Sequence, residues 1–309
     1  MRVVALWVLA TWCAECVWGG FTVVDYPLVL LFLGPLYGSV AVLIREVARR
    51  RGGGWPVMVL LAAAFGLVQA GLVDQSLFDR SALAGTQFAE WNRAAQATWV
   101  PWWGLSAEQL FEFVRNHVWL SVCAPIAVVE ACAAPAVRRV PWLSRRGVVG
   151  LVGLYLLASL VNWSDSGRVV SALQVAGVVV VAGGLVAVAW WAAPPVRAVG
   201  ASPVGALVLG VSVLVVDVGA WFFGSGWWGL GLRVVALSVV VLAVRWARSQ
   251  RQVLAVWGAG LVSAAVAAFL SPPYAVAAPW LMVVSDVFGA VLVGGLLVVA
   301  WRRSECVAV

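Results

Sequence analysis

Residues 26–51 read YPLVLLFLGPLYGSVAVLIREVARRR, a long apolar run that ends in three consecutive arginines. An α-helix needs about 20 predominantly apolar residues to cross the hydrocarbon core of a bilayer. Arginines beside such a run resist translocation and therefore mark the cytoplasmic side of the membrane. Because the same pairing of an apolar run with a short arginine cluster recurs along the chain, the stretch predicts a multi-pass membrane protein.

The overall composition favours the same class of protein. Hydrophobic residues make up 64% of the chain and charged residues 11%, against about 25% charged residues in an ordinary soluble domain. We therefore expect an all-α, polytopic transmembrane helix bundle that forms a single transmembrane domain over residues 1–309. The net charge of +7 lies mostly in the arginine clusters. Since these would meet anionic lipid headgroups, the expected partner is the bilayer and not a nucleic acid.

The apolar runs predict about ten spans. Their limits are residues 3–19, 26–48, 55–73, 109–136, 147–163, 169–191, 201–223, 230–244, 252–270 and 277–300. The first run is interpreted as a retained helix, because no small-residue cleavage pattern of a signal peptide follows it.

The distribution of arginine predicts the orientation. With the N-terminus inside, most of the basic residues lie in cytoplasmic connections: Arg2, Arg49 to Arg51, Arg138, Arg139, Arg145, Arg146, Arg197, Arg245, Arg248, Arg251, Arg302 and Arg303. A smaller set lies at or near the outer face: Arg80, Arg93, Arg115, Arg168 and Arg233. An even number of spans preserves this bias in both halves of the chain, so we expect both termini in the cytoplasm.

All 20 basic residues are arginine. The lack of lysine excludes Schiff-base chemistry and a P-loop, both of which require a lysine amine. Arginine usage of this kind, with abundant valine, alanine, glycine and tryptophan, is typical of a GC-rich bacterial genome. We therefore expect a protein of the bacterial plasma membrane.

The longest outer connection, residues 74–108, is too polar to be a span and carries several aromatic residues. An amphipathic segment of this kind is typical of the membrane interface. Long loops are also often functional. The segment is predicted to be an outer interfacial loop with a short helix or lid.

Polar side chains recur in the outer third of several predicted spans. Ionisable groups inside a bilayer are costly and usually face a bundle interior or water. One outward-opening cavity would hydrate them together at lower cost than separate sites. The candidate ligand-binding residues are Glu15, Gln69, Asn116, His117, Asp217 and Asp286. The alternative is that several of these side chains simply reach the outer headgroups.

His117 is the only histidine, so a multi-histidine metal site cannot form within one chain. We expect no metal and no cofactor. In an enzyme, His117 would be the candidate general base and Glu15 its acid–base partner. The alternative is a histidine that only hydrogen-bonds in a polar pocket. Cys13 and Cys16 form a Cys-x-x-Cys pair, for which helix packing is favoured over redox chemistry.

A second polar group lies towards the cytoplasmic ends of two predicted spans. Arg45 and Glu130 are interpreted as a structural ion pair, because a lone buried charge would be strongly unfavourable. Glu46 points about 100° away from Arg45 on the helix and is expected near the headgroups. A proton relay through these three residues is the alternative.

The stretch from Gly34 to Phe78 contains Gly-Pro-Leu-Tyr-Gly, Leu-Ile-Arg-Glu-Val-Ala-Arg-Arg and Gly-Leu-Val-Asp-Gln-Ser-Leu-Phe. It resembles a group of uncharacterised bacterial multi-pass membrane proteins. Asn-His-Val-Trp at residues 116–119 and the segment from Pro125 to Glu130 are similar to that group as well. The resemblance covers about the first 145 residues and implies a membrane-embedded fold without a known activity.

Phe113 and His117 also match a Phe-x-x-x-His motif. In this the chain resembles the CAAX-protease and bacteriocin-processing family of intramembrane proteases. That family carries paired glutamates on the preceding helix, where this chain reads Gln69, Ala70 and Gly71. Without the glutamates and a later histidine, the family's general base is missing, so the resemblance does not imply proteolysis.

Three functions follow from these observations. The first is a permease or carrier with an outward-opening polar cavity for a small or amphiphilic molecule. The second is a membrane-embedded enzyme for a lipid or isoprenoid substrate that uses His117 and Glu15. The third is a non-catalytic membrane partner or accessory subunit. The ligand would thus be a small molecule or a lipid, and the sequence predicts no oligomeric state.

Overall fold

A computed structural model describes residues 1–81, 83–166, 170–191, 203–247 and 249–304. The first residues of the predicted spans 169–191 and 201–223 lie outside the described residues, as do Arg168, Arg197 and Arg248. Most of the described chain is helical, with one short β-hairpin. The all-α class is therefore confirmed.

Thirteen α-helices are present in the described part of the chain. They are α1 (Arg2–Glu15), α2 (Tyr26–Arg50), α3 (Trp55–Val68), α4 (Ala89–Ala95), α5 (Ala107–Asn116), α6 (Ala124–Cys132), α7 (Pro135–Arg138), α8 (Arg145–Ser166), α9 (Ala172–Trp191), α10 (Pro203–Ala220), α11 (Trp227–Trp246), α12 (Gln250–Ala268) and α13 (Pro279–Arg303). A π-helical turn, Gln69–Val73, extends α3, and a second, His117–Cys123, joins α5 to α6. Short 3₁₀ turns occupy Gln96–Thr98 and Trp221–Phe223. The strands β1 (Trp99–Val100) and β2 (Leu105–Ser106) pair antiparallel.

Seven helices of the described chain are long and apolar enough to cross a membrane. They are Tyr26–Arg50, Trp55–Val73, Arg145–Ser164, Ala172–Trp191, Gly205–Phe223, Gln250–Ala268 and Pro279–Arg303. Three other predicted spans are shorter or begin with a charged segment. Helix α1 has 14 residues, the apolar part of α11 is Trp227–Ala243, and the continuous helical run 107–132 begins with the charged α5.

The arginine-rich connections lie together at one end of the bundle. The guanidinium carbon of Arg2 lies 5.6 Å from the ring centroid of Trp142. Arg138 Nη2 donates a hydrogen bond to the Arg303 carbonyl oxygen at 3.0 Å. We call this the arginine end, formed by Arg2 with residues 49–54, 133–144 and 303–304. Both described chain ends therefore lie there.

The remaining connections meet at the opposite end. The Tyr274 backbone N–H donates to the Gly20 carbonyl at 3.0 Å. Gln174 Nε2 donates to the Trp103 carbonyl at 3.1 Å. We call this the loop end, formed by residues 16–25, 74–106, 221–226 and 269–278. The segment 74–106 is folded here into α4, a 3₁₀ turn and the hairpin.

Small residues allow the core helices to approach closely. A Cβ atom at Gly38 would lie 2.6 Å from the carbonyl oxygen of Trp7, so α1 and α2 touch backbone to backbone. A Cβ at Gly260 would lie 1.9 Å from Trp119 Nε1. Close contact at small residues is typical of helices packed in a bilayer. Glycine thus allows close helix packing in α2 and also in α12.

Proline shapes the helical run 107–132. Pro125 has no backbone N–H, and its ring clashes with the carbonyl of the residue four positions earlier, Ser121. The wider π-helical turn His117–Cys123 precedes the proline directly. The irregularity before Pro125 is thus a π-helical segment, whereas Pro35 lies inside a continuous α2.

Peripheral helices present apolar side chains outward. Leu156 on α8, Val180 on α9, Val235 on α11 and Val291 on α13 are all exposed. Such a continuous apolar surface is unfavourable in water and suits the hydrocarbon of a bilayer. The bundle therefore has the surface of a membrane-embedded protein.

Candidate functional site

A cavity of about 340 Å³ opens at the loop end. Its walls come from α5, the π-helical turn 117–123, α10, α11 and α12. Polar groups in the lining are Glu112, Arg115, Asn116, Asp217, Arg233, Ser263 and Ser271. Along α12 the lining extends from Ala267 to Gly260, which is about 10 Å of helix axis.

Two arginines and three carboxylates form an ion-pair network at this cavity. Arg115 forms a short ion pair with Asp217 and lies 3.3 Å from Glu112. Arg233 Nη1 lies 2.7 Å from Glu108 Oε1 and 3.6 Å from Glu112 Oε1. Because guanidinium groups stay protonated in proteins, the network carries a formal charge of −1, from two cations and three carboxylates. Glu108 is fully buried and outside the lining, so the two arginines and two carboxylates that line the cavity are formally balanced.

Local sequence positions the network on one helix face. Glu112, Arg115 and Asn116 are spaced i, i+3 and i+4 on α5, so their side chains share a face. The Ser106 hydroxyl caps α5 by accepting a hydrogen bond from the Gln109 N–H at 3.3 Å. Glu108 in the first turn is fully buried and also accepts from the Gly226 N–H at 3.2 Å. This cap anchors the charged face at the loop end.

Tryptophan side chains provide the apolar walls of the cavity. The lining includes Trp18, Trp91, Trp119 and Trp221. Trp91 belongs to α4 in the segment 74–106, which thus contributes to the site. The guanidinium carbon of Arg115 lies 5.5 Å from the Trp119 ring centroid. Tryptophan faces can bind cations, so the walls favour a ligand with a positive group.

Asn116 and Asp217 are the two predicted ligand-binding residues that line this cavity. His117 and Glu15 lie elsewhere, each next to Tyr37. The His117 and Tyr37 rings stack with centroids 5.7 Å apart, and His117 Nδ1 lies 3.2 Å from Ser121 Oγ. The Tyr37 hydroxyl lies against the Glu15 carboxyl group. The two candidate acid–base residues are thus linked through a buried tyrosine.

Tyr274 connects this buried group to the loop end. Its ring packs edge-on against Trp18 at 5.3 Å and against Phe88 at 5.3 Å. Burial raises the pKa of the Tyr274 hydroxyl well above its ordinary value, and the carboxylates of Glu15 and Asp74 raise it further. The Tyr274 hydroxyl is therefore neutral at ordinary pH.

Gln69 and Asp286 occupy two further places. Gln69 begins the π-helical turn 69–73, is buried, and its Oε1 has no hydrogen-bond partner among the described residues. Asp286 lies on α13 near Tyr26 and is partly exposed. The structure thus does not bring the six predicted residues into one cavity. Equal depth in the membrane is not enough to place side chains in one cavity. Sequence neighbours such as Asn116 and His117 point about 100° apart around a helix.

The predicted ion pair lies near the arginine end. Arg45 Nε is 3.0 Å from Glu130 Oε1, and both side chains are fully buried. Arg49 adds two hydrogen bonds to the same carboxylate, at 2.9 and 2.5 Å. The structure therefore contains the Arg45–Glu130 pair and extends it to Arg49.

Glu46 is buried, with 1% of its side chain exposed, and Arg45 Nη1 lies 3.2 Å from its Oε1, so the two neighbours meet although their side chains start about 100° apart. Its carboxylate accepts hydrogen bonds from the backbone N–H groups of Trp142 at 2.5 Å and Leu143 at 3.2 Å. The connection after α7 folds back over α2 and supplies these donors. The buried carboxylate is thus satisfied jointly by neighbouring arginines and by backbone that is remote in sequence.

Cofactor-binding groups are sparse in the described chain. Its histidine, cysteine, aspartate and glutamate side chains form no group of three that could hold a metal ion. Cys13 and Cys16 are buried free thiols in the contact region of α1. Their burial is consistent with the packing interpretation.

No protein-family model, no curated protein and no solved structure matches this chain. The site is therefore interpreted from its own geometry.

Proposed function

We propose that this chain is a multi-pass carrier of the bacterial plasma membrane, with ten spans and both termini in the cytoplasm. The cavity at the loop end would bind a small or amphiphilic molecule with a positively charged group. The observation that carries this proposal is the ion-pair network inside a tryptophan-walled cavity that extends into the bundle.

The ion-pair network supports transport more than catalysis. Asp217 and Glu112 hold the guanidinium group of Arg115, and a ligand cation could exchange with that arginine at the carboxylates. Exchange of ion-pair partners gives two arrangements with different charges facing the cavity, which is what a ligand-driven population shift requires. The acid–base candidates His117 and Glu15 are not among the residues that line this cavity.

The carrier proposal predicts that the cavity can be reached from both sides of the membrane. In a cysteine-free background, Ser263→Cys places a thiol in the cavity lining on α12. The probe is a trimethylammonium-bearing methanethiosulfonate, a membrane-impermeant cation. We expect reaction both in intact cells and in inside-out vesicles, because a carrier must open its site alternately to each side.

The matched control is Ser238→Cys on α11, an exposed serine outside the cavity lining. It should face hydrocarbon and remain unreactive, since a thiolate forms only in contact with water. Reaction of Ser263→Cys from one side alone would contradict the carrier and favour an enzyme or an accessory subunit.

The second candidate is a membrane-embedded enzyme, favoured by the contact of Glu15 and His117 with opposite parts of Tyr37. Such a row of acid–base groups could act on a lipid or isoprenoid substrate. Under this alternative, His117→Ala removes turnover of the substrate while Ser263→Cys labelling stays one-sided. A carrier keeps two-sided labelling in the His117→Ala background.

A further inference from the structure

An apolar groove of about 380 Å³ opens between α2, α3, α8 and α9, apart from the charged cavity. Its walls include Val40, Leu43, Val47, Leu61, Phe65 and Val186. Tyr155 lines it from α8, and Trp190 lies at the arginine end. If the groove were empty, all these side chains would lack van der Waals contacts on the groove side. It therefore favours a flexible apolar occupant.

The length of the groove matches one leaflet of a bilayer. Along α2 the lining begins at Val40 and ends at Arg51, which directly follows the helix. From Val40 to Arg51 the helix rises over eleven residues, or about 16 Å along its axis. A hydrocarbon core is about 30 Å thick, so the groove extends from the interface to about the midplane.

The interfacial end of the groove carries a positive charge. Arg51 is the charged member of the lining among the described residues. Its Nη2 donates to the Trp190 carbonyl at 2.6 Å, and its guanidinium carbon lies 3.3 Å from the Trp190 ring centroid. A guanidinium carries five N–H donors in a fork that suits phosphate oxygens. Trp190 is of a type that favours the headgroup level.

The surroundings of Arg51 favour an anionic headgroup. Arg50 precedes it with a partly exposed side chain that lies 3.5 Å from the buried Glu46 carboxylate, which is also engaged by backbone N–H groups. An ammonium group of a zwitterionic lipid would meet Arg51 here without an exposed carboxylate in the lining. Basic pockets between membrane helices are sites of anionic lipid headgroups.

We propose that this groove binds an anionic phospholipid of the leaflet on the arginine side, independently of the proposed carrier function. One acyl chain lies along α2 between α3, α8 and α9, and the phosphate binds Arg51 beside Trp190. The lipid joins the two outer helices α8 and α9 to the core helices α2 and α3.

Native mass spectrometry of the full chain tests the proposal, with dioleoyl phosphatidylglycerol and dioleoyl phosphatidylcholine as the probes. We expect the first bound lipid to be phosphatidylglycerol in preference to phosphatidylcholine. Arg51→Gln should lower this preference about fivefold, the effect of one arginine near a membrane surface. Val186→Trp should fill the groove and weaken binding of both lipids.

The controls change the same residue types outside the groove. Arg302→Gln removes an exposed arginine from α13, and Val188→Trp adds an indole on the exposed face of α9. Both should bind the two lipids as the unchanged protein does. Thermal unfolding in detergent verifies that each variant is folded. Equal binding of the two lipids by the unchanged protein, or equal losses in Arg51→Gln and Arg302→Gln, would overturn the proposal.

Discussion

At the scale of single residues, the buried charges show how this chain tolerates ions in an apolar core. Glu130 is fully buried and receives hydrogen bonds from both Arg45 and Arg49. Arg45 also donates to the carbonyl oxygens of Arg138 at 2.7 Å and Val140 at 3.1 Å. Each charged atom thus has a partner, which is the condition under which a buried ion pair is tolerated.

Glu130→Gln should strongly destabilise the protein. The neutral amide leaves Arg45 and Arg49 without their shared counter-ion, and loss of one partner of a buried pair costs about 3–5 kcal/mol. Thermal unfolding in detergent, followed by tryptophan fluorescence, measures the effect. The control is Glu90→Gln at an exposed position of α4, where we expect almost no change. Equal midpoints for the two variants would show that the network contributes little to stability.

The Arg45–Glu130 pair could be predicted from residue type and depth alone. The role of Glu46 could not, because it depends on the path of the connection after α7. Glu46 is satisfied by backbone N–H groups of Trp142 and Leu143, which are nearly 100 residues away in sequence. Sequence position carries no signal for a hydrogen bond of this kind.

At the scale of helices, close packing and helical rotation decide which residues meet. Helices α1 and α2 approach closely because Gly34 and Gly38 leave room for Trp7. On the run 107–132, one helical step separates Asn116 in the charged cavity from His117 beside Tyr37. The predicted site placed these neighbours together because depth was considered without rotation. The i, i+3, i+4 spacing of Glu112, Arg115 and Asn116 is the signal that would have found the network.

Gly38→Ala should destabilise the contact between α1 and α2. The added Cβ would lie 2.6 Å from the backbone carbonyl oxygen of Trp7, which cannot rotate away. Overpacking of this kind costs about 1–3 kcal/mol. Gly150→Ala on α8 is the control, since no atom lies within 4 Å of its added Cβ. There we expect unchanged or slightly higher stability from better helix propensity. Thermal unfolding should rank the two variants in this order; the reverse would refute the close contact.

At the scale of the whole molecule, the two ends differ in charge and in structure. The arginine end joins both described chain ends to the basic connections, and the loop end carries the folded segment 74–106 and the mouth of the charged cavity. Basic residues in short connections resist translocation. We therefore expect the arginine end in the cytoplasm and the cavity open to the exterior.

Cysteine labelling from outside the cell measures this orientation. In a cysteine-free background, Gln87→Cys in the segment 74–106 should react with an impermeant maleimide on intact cells. Val140→Cys and Arg302→Cys at the arginine end should react only after the membrane is opened. All three positions are exposed, so protection reports the side of the membrane and not burial. Reaction of Val140→Cys on intact cells would reverse the topology.

The sequence by itself determined the helical class and the apolar, membrane-suited character of the helices, because hydropathy and length act locally along the chain. The tertiary structure decided how polar residues of similar depth are divided among places. Asn116 and Asp217 line the charged cavity, Glu15 and His117 lie next to Tyr37, and Asp286 lies near Tyr26. That division depends on how each helix is rotated about its axis and on which helix it packs against. Both are decided only when the helices assemble.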